Sequence, residues 1–275
     1  MDSQQTRLTS INTQGLKRNI DYVTNLLNDN EILFICEHWL SNVEKHIIEN
    51  STHKLIFSSA EKQPAGRPYG GNCFMVHNTI SKNIKVIHED AHILAIQLPS
   101  LNLIVIGIYL TCYHDTSSKD DFSSQLDTIT AIIEMYVEES EIVIVGDYQT
   151  FPARLYDNEV VRNNPKRNPL SPLLTSFLKS NELELVDVTQ GTGPTQTYEH
   201  KTLQNCSYID HIALLESSNL NVSSCTIHEK TSNNMSDHQP VSITIKNPSL
   251  ETIINDEMKR GLSVPKYACR KTQLS

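Results

Sequence analysis

The sequence predicts a mixed α/β (α+β) fold, and three observations carry that expectation. Two short, continuous runs of β-branched and other apolar residues, ILFIC at 32–36 and IVIV at 142–145, have the length and composition of strands covered on both faces. Between residues 55 and 110, further apolar runs end at 78, 88, 98 and 110 across short polar turns, and such close spacing implies antiparallel pairing. Ile20, Val23, Leu26 and Leu27, and then Phe122, Leu126, Ile129, Ile133 and Val137, recur with helical spacing and predict amphipathic helices before and within this series.

With 275 residues the chain accommodates one large domain or two small ones and a substantial core. Its net charge of −9 argues against a surface coated everywhere for nucleic acid, though not against a local basic groove. The polar first residues, MDSQQTRLTSINTQG, hold no apolar stretch of a secretory signal, so the expectation is an intracellular chain that is not secreted. The most apolar segment, 103–110, is too short to cross a bilayer, and no membrane partner is expected. Cys36, Cys73, Cys112, Cys206, Cys225 and Cys269 are scattered without CxxC spacing, which fits reduced thiols rather than a zinc site.

In chain order, residues 8–12 form a first strand, Gly15 punctuates it, and the first helix runs to about 28–30. Strand 32–36 is followed at once by Glu37. The alternation of His92, Leu94, Ile96 and Leu98 marks a strand with two distinct faces, and the strand after it delivers Tyr109. After helix 120–137, strand 141–147 ends in Gly146, which permits a tight turn, so that Asp147 and Gln149 emerge beside a loop closed by Pro152. Gly-Asp is also an ordinary turn pair. The long irregular stretch 152–172 carries Arg154, Arg162, Lys166 and Arg167, a basic bias suited to a phosphate backbone. A helix at 173–179 and strand 183–186 follow. In the run 208–214, Asp210 and His211 point to opposite sides, so one of them faces the site. Strands 220–227 and 241–245 complete a domain spanning 6–246. Residues 247–275 are polar and basic, without a core pattern, and read as a tail or linker.

Asn12, Glu37, Tyr109, Asp147 with Gln149, Asp210, and Asp237 with His238 each stand at the end of a strand-like run. Oxygen donors with one or two histidines and no thiolate set suit Mg²⁺ or Mn²⁺. Phosphodiester hydrolysis needs a cation on a nonbridging oxygen, a base for water and donors for the developing charge. Glu37 is the natural metal ligand, with Asn12 completing the shell or contacting phosphate. Asp147 is placed to take the water proton, and His238, its pKa raised by an acid such as Asp210, is the charged donor.

The ordered motifs NTQG, CEHWL, IYLTCY, GDYQTFP, SYIDHI and SDHQPV resemble the endonuclease/exonuclease/phosphatase superfamily over about residues 6–245. GRPYGG and EHWL are further similar to the endonuclease domain of LINE-type (non-LTR) retrotransposon polyproteins. The resemblance implies a DNase I-like four-layer fold, a two-sheet β-sandwich flanked by helices. It implies a Mg²⁺-dependent, DNA-nicking endonuclease resident in the nucleus, with a reverse transcriptase domain in a longer parent polyprotein; a monomer is expected. It implies that Asn12, Glu37 and Asp237 serve metal or phosphate, that Tyr109 contacts phosphate, that Asp147 activates water, that Thr197 contacts DNA and that Asp210 pairs with His238. Gln149 stands where the family has asparagine, which places the amide about one methylene further out; a displacement of roughly 1 Å can cost on the order of 100-fold in rate. A phosphatase or phospholipase of the same fold, and a non-catalytic DNA-binding remnant, are the alternative readings.

Overall fold

A computed structural model describes residues 5–62, 66–152, 155–156, 168–200, 202 and 205–246. The first strand, β1 (Gln5–Asn12), is followed by helix α1 (Ile20–Asn28), β2 (Ile32–Cys36), β3 (His53–Ser58) and β4 (Asn72–His77). Next come β5 (Lys85–Glu89), β6 (Ile93–Leu98), β7 (Leu103–Tyr109), α2 (Ser117–Tyr136) and β8 (Glu141–Asp147). Helix α3 (Ser171–Ser180), with a proline in its first turn, leads to β9 (Leu183–Leu185) and a short helix α4 (Val186–Thr189). The chain closes with β10 (Gly191–Thr192), β11 (Tyr198–Glu199), β12 (Cys206–Ser207), β13 (Asp210–Leu215), β14 (Asn221–Ile227) and β15 (Val241–Lys246).

Two mixed sheets result, a seven-stranded one in the order β10-β14-β15-β1-β2-β4-β3 and a six-stranded one in the order β5-β6-β7-β8-β13-β9. The consecutive strands of 53–109 are antiparallel within each sheet, but the series divides after β4, so that β3 and β4 join one sheet and β5 to β7 the other. The period-two alternation explains the layering. Phe34 and Cys36 of β2, Leu94 and Ile96 of β6, and Val143 and Val145 of β8 meet in the core between the sheets. Their neighbours turn outward: Leu33 and Ile35 pack on Val23, Leu26 and Leu27 of α1, whereas Ile93, Ala95, Ile142 and Ile144 pack on Phe122, Leu126 and Ile129 of α2 and Leu174 and Leu178 of α3. The order is helix, sheet, sheet, helices, the expected four layers.

Some boundaries differ from the sequence reading. Val137 lies one residue past α2 and is exposed, because α2 ends at Tyr136 and Ile132 takes a place on the buried face. Val186, read as the end of a strand, begins helix α4. The tail 247–275 and the basic residues Arg154, Arg162, Lys166 and Arg167 lie outside the described residues. Among the described residues, no helix is long and apolar enough to cross a membrane.

Candidate active site

The pairing registers bring the chosen side chains to one edge of the sandwich. Parallel β1 and β2 place Asn12 opposite Cys36, so Glu37 leaves the sheet beside Asn12. Parallel β7 and β8 place Tyr109 opposite Asp147, and antiparallel β13 starts at that edge with Asp210 opposite Asp147. His238 precedes the first residue of β15, which lies antiparallel to β1. C-terminal ends of parallel strands and N-terminal ends of antiparallel ones therefore converge.

Asp147 lies at the centre, fully buried. Gly146 before it has φ 141°, and a Cβ there would lie 2.0 Å from the Ile108 carbonyl oxygen, so only glycine lets β8 turn its acid into the site. Asn12 Nδ2 donates to Asp147 Oδ2 at 3.0 Å, and Gln149 donates twice, from its backbone N–H to Oδ1 at 2.9 Å and from Nε2 to Oδ2 at 2.8 Å. Gln149 occupies the left-handed region at φ 60°. His238 Nδ1 lies 2.8 Å from Asp210 Oδ2, and its Nε2 lies 3.9 Å from Asp147 Oδ2. The imidazole thus bridges two buried carboxylates.

Burial by itself would push His238 down, but the charge and hydrogen bond of Asp210, with the charges of Asp147 and Glu37 behind them, hold it at about 9. Burial and the Asp210 charge raise Asp147 well above the carboxylate range, against the pull of His238 and Asn12. Tyr109 donates its hydroxyl to Glu37 Oε1. Burial and then the Glu37 charge keep that phenol well above its ordinary value, so it remains a donor.

A cleft of about 810 Å³ opens over this cluster, lined on one side by Asn12, Gln14, Glu37, Tyr109, Gln149 and His238, and extending to Phe151, Asn168, Thr175 and Tyr198. Thr197, which the resemblance sets against DNA, is fully buried behind Asp210, where its Oγ1 accepts the N–H groups of Ile209 at 3.0 Å and Asp210 at 2.9 Å. Asp237 is half-buried in the loop that carries His238, and its N–H donates to Gln14 Oε1 at 3.1 Å. Arg162, Lys166 and Arg167 fall outside the described residues.

Several supporting residues were not singled out from sequence. Ser236 Oγ donates to the Asn12 carbonyl at 2.6 Å and accepts the His238 N–H at 3.1 Å, tying the histidine loop to β1. The Tyr198 ring packs tilted against His238 with centroids 4.9 Å apart, and Asn168 Nδ2 donates to the Gln149 carbonyl at 3.0 Å. The adjacency of Ser236 to Asp237 and His238 was a readable signal; nothing local distinguished Asn168 or Tyr198.

One oxygen or nitrogen each from Asp147, Asp210 and His238 lie within 4.8 Å of one another, spacing that a divalent cation accommodates. His238 Nδ1 already faces Asp210 Oδ2 at 2.8 Å, and the neighbouring carboxylates raise its pKa to about 9, which favours the protonated ring over a ligating one. Asp147, Asp210 and Glu37 bring three carboxyl groups to this edge against one histidine, an excess of acid that a cation would balance.

No family model matches the chain, and no curated protein matches it in sequence. Solved structures do match in fold. An AP endonuclease from Leishmania major is 12% identical, with 90% of each chain covered and a TM-score of 0.70. A 3′ phosphatase from Neisseria, solved bound to a product DNA hairpin, is 16% identical, with 86% of this chain and 98% of that one covered and a TM-score of 0.67. The catalytic domain of APE2 from Xenopus laevis is 13% identical, with 88% and 92% covered and a TM-score of 0.67. The architecture is therefore the DNase I-like α/β sandwich of these structures.

Proposed function

We propose that the chain is a divalent-metal-dependent phosphodiester hydrolase, and specifically an endonuclease that nicks DNA. The observation that carries this reading is the placement of His238, with Nδ1 2.8 Å from Asp210 and Nε2 3.9 Å from Asp147, at the floor of an open cleft. Asp147, its basicity raised by burial, takes the proton of the attacking water while Asn12 and the backbone N–H of Gln149 fix its orientation. His238 donates to the phosphoryl oxygen that gains charge, and Asp210 stabilises the imidazolium. Glu37 and Asn12, facing the cleft, with Asp237 on the neighbouring loop, are the side chains proposed to hold Mg²⁺ or Mn²⁺. Tyr109 holds the Glu37 carboxylate in place. A divalent cation held there would supply charge neutralisation for the phosphate.

The fold's occurrence in AP endonucleases and in a 3′ phosphatase supports phosphoester chemistry on nucleic acid. The retrotransposon-type assignment, with nuclear residence and a reverse transcriptase domain in a longer parent polyprotein, rests on the EHWL and GRPYGG wording; a monomeric state is proposed beside it. Arg162, Lys166 and Arg167 are proposed to follow the DNA backbone by their charge alone.

The test is nicking of a supercoiled plasmid with Mg²⁺, with Mn²⁺ and with EDTA. Nicking is expected with either cation, to vanish in EDTA, and to be lost in Glu37→Gln with the melting temperature retained. Equal nicking in EDTA, or undiminished Mg²⁺-stimulated cleavage by Glu37→Gln, sinks the assignment. Release of phosphate from a 3′-phosphorylated oligonucleotide without plasmid nicking would select the phosphatase reading, which the Neisseria structure favours.

A further inference from the structure

Beside Glu37 the chain builds a second, cationic feature that the chemistry above does not use. The sole tryptophan, Trp39, lies two residues after Glu37, and the Arg67 guanidinium sits 3.8 Å from its ring centroid. Arg18 approaches the same ring at 6.0 Å and donates to the Gln14 carbonyl at 3.1 Å. Gly15 lies hard against the ring, since a Cβ there would fall 2.4 Å from Trp39 Cε3. Three loops are stitched together at this point: Gly15 N–H donates to the Glu37 carbonyl at 2.8 Å, Leu16 N–H to His38 at 3.1 Å, and Trp39 N–H to Gly70 at 3.1 Å.

The backbone is costly there. Gln14, Glu37 and Trp39 have φ of 44°, 52° and 57°, values that L-residues with long side chains seldom adopt. Such conformations persist where surrounding contacts over-determine them, so the arginines are carried on a rigid support joined to the cleft wall at Gln14 and Glu37. Both arginines are exposed, and neither meets a carboxylate among the described residues. On a chain of net charge −9, beside an edge rich in acids, two unneutralised guanidinium groups are the local means of holding an anion. Guanidinium matches phosphate oxygens with two parallel donors. A ring already occupied by Arg67 and Gly15 holds cations in place and does not offer its face to a base.

We propose that Arg18 and Arg67, arrayed on Trp39, form a backbone clamp that grips phosphates of a DNA strand on the Glu37 side of the cleft. The proposal rests on the nuclease reading for its choice of DNA as partner, but its test reads binding and not cleavage. Excited alone, the protein's fluorescence at long wavelength comes from Trp39, so titration with a duplex of about two helical turns in EDTA reports the clamp directly. A saturable change in that emission is expected, with the same midpoint as fluorescence anisotropy of labelled duplex. In the Arg18→Ala/Arg67→Ala variant, affinity should fall about 10-fold at moderate salt, and the slope of log affinity against log salt should shrink by roughly 1.8, about 0.9 for each of two phosphates. Arg67→Met, which keeps an apolar stem over the ring, should lose about half of that slope change and guards against a loss of fold. An unchanged salt slope, or duplex binding that leaves Trp39 emission untouched, overturns the clamp. Parent protein that binds in this way without nicking with either cation defeats the nuclease reading and leaves the clamp standing; nicking by the parent with an unchanged slope in the double variant does the reverse.

Discussion

Two aspartate–histidine pairs occupy opposite sides of β13, and their difference separates chemistry from support. Asp210 faces the cleft edge and holds His238 Nδ1 at 2.8 Å; its neighbour His211 points to the other side, where Nδ1 lies 2.8 Å from Asp187 Oδ2. The hydrogen bonds are alike. Beyond His238 there is an acid, with Asp147 at 3.9 Å, and an open cleft. Around His211 there are aromatic rings, Tyr208, Tyr148 and Phe151 at 4.9, 5.4 and 5.7 Å, and its buried Nε2 has no hydrogen-bond partner among the described residues. Asp187 also accepts the Ile212 N–H at 2.8 Å, so this pair fixes helix α4 to β13 and sets the register from which Asp210 emerges. The two dyads share one geometry and differ in what the far nitrogen meets, which is why the reactive role is proposed for His238 and a structural one for His211.

The largest expected effect comes from swapping the acids of the two regions for amides. Asp147→Asn should lower cleavage by about 10²–10⁴-fold, the range for removing a general base. Its melting temperature should stay within roughly 2–4 °C of the parent, because relief of the Asp210 repulsion offsets one lost accepted bond. Asp187→Asn should do the opposite. Its amide nitrogen would face either His211 or the Ile212 N–H, at a cost of about 1–3 kcal/mol, lowering the melting temperature while folded protein keeps its specific activity. Thermal scans alongside plasmid nicking check both. An Asp187→Asn protein that is fully folded yet as inactive as Asp147→Asn would erase the distinction.

The pairs should also separate with pH. His238 is raised from its ordinary 6.5 to about 9, so the stability it contributes is fully present below pH 6.5 and is lost as pH rises through about 9. In metal-free buffer, the gap in melting temperature between the parent and His238→Asn should therefore narrow over that interval. A gap that stays constant to pH 10 would mean that the imidazole is not held as a cation by Asp210 and Asp147.

A smaller effect is expected one step from the reacting atoms. Tyr109→Phe removes the donor to Glu37 but leaves the ring packed against the inter-sheet core. A hydrogen bond to a charged group is worth roughly 1.5–3 kcal/mol, or about 10–100-fold in kcat/KM where it is needed for the transition state. Steady-state kinetics at a Mg²⁺ concentration that saturates the parent would show the loss; recovery at higher Mg²⁺ would mean that Tyr109 acts through metal affinity, and no loss at any concentration would remove it from the site.

The fold was legible because its periodicities are local. ILFIC and IVIV were readable as strands, and the alternation in β6 correctly marked two faces, although both proved buried because α2 covers the outer one. Composition could not show that the strand series divides between two sheets after β4, since that depends on long-range pairing of β4 with β2 and of β7 with β8. In the site, residues at strand ends were legible one by one, and the alternation of Asp210 and His211 correctly required one of them to face away. The partner of His211 was not legible: Asp187 lies 24 residues earlier, just past a segment read as a strand ending at Val186, and nothing in VDVT distinguishes it from a surface acid. Thr197 shows the same limit, because a threonine near an acid motif does not reveal whether its hydroxyl meets DNA or, as here, two backbone N–H groups.

The smallest expected change concerns Gln149, where the sequence departs from the family it resembles. The structure places its side-chain amide on Asp147 Oδ2 and its N–H on Oδ1, in a backbone conformation with φ 60°. Asparagine is enriched in that left-handed region, whereas longer side chains occupy it at a cost of roughly 1–2 kcal/mol. In Gln149→Asn the N–H bond to Oδ1 persists, but the shorter side chain withdraws its amide from Oδ2. One lone pair of the base is then freed for the water proton, and its basicity rises because a donor to the charged form is gone. The expected result is a rate gain of about 2–5-fold, corresponding to well under the 1.4 kcal/mol of a tenfold change, with a slightly higher melting temperature. Single-turnover nicking at saturating enzyme, compared with thermal melts of the same preparations, measures both. A variant clearly slower than the parent at unchanged stability would show that the glutamine amide orients Asp147 for catalysis, and that the pocket around Asn168 is fitted to the longer side chain.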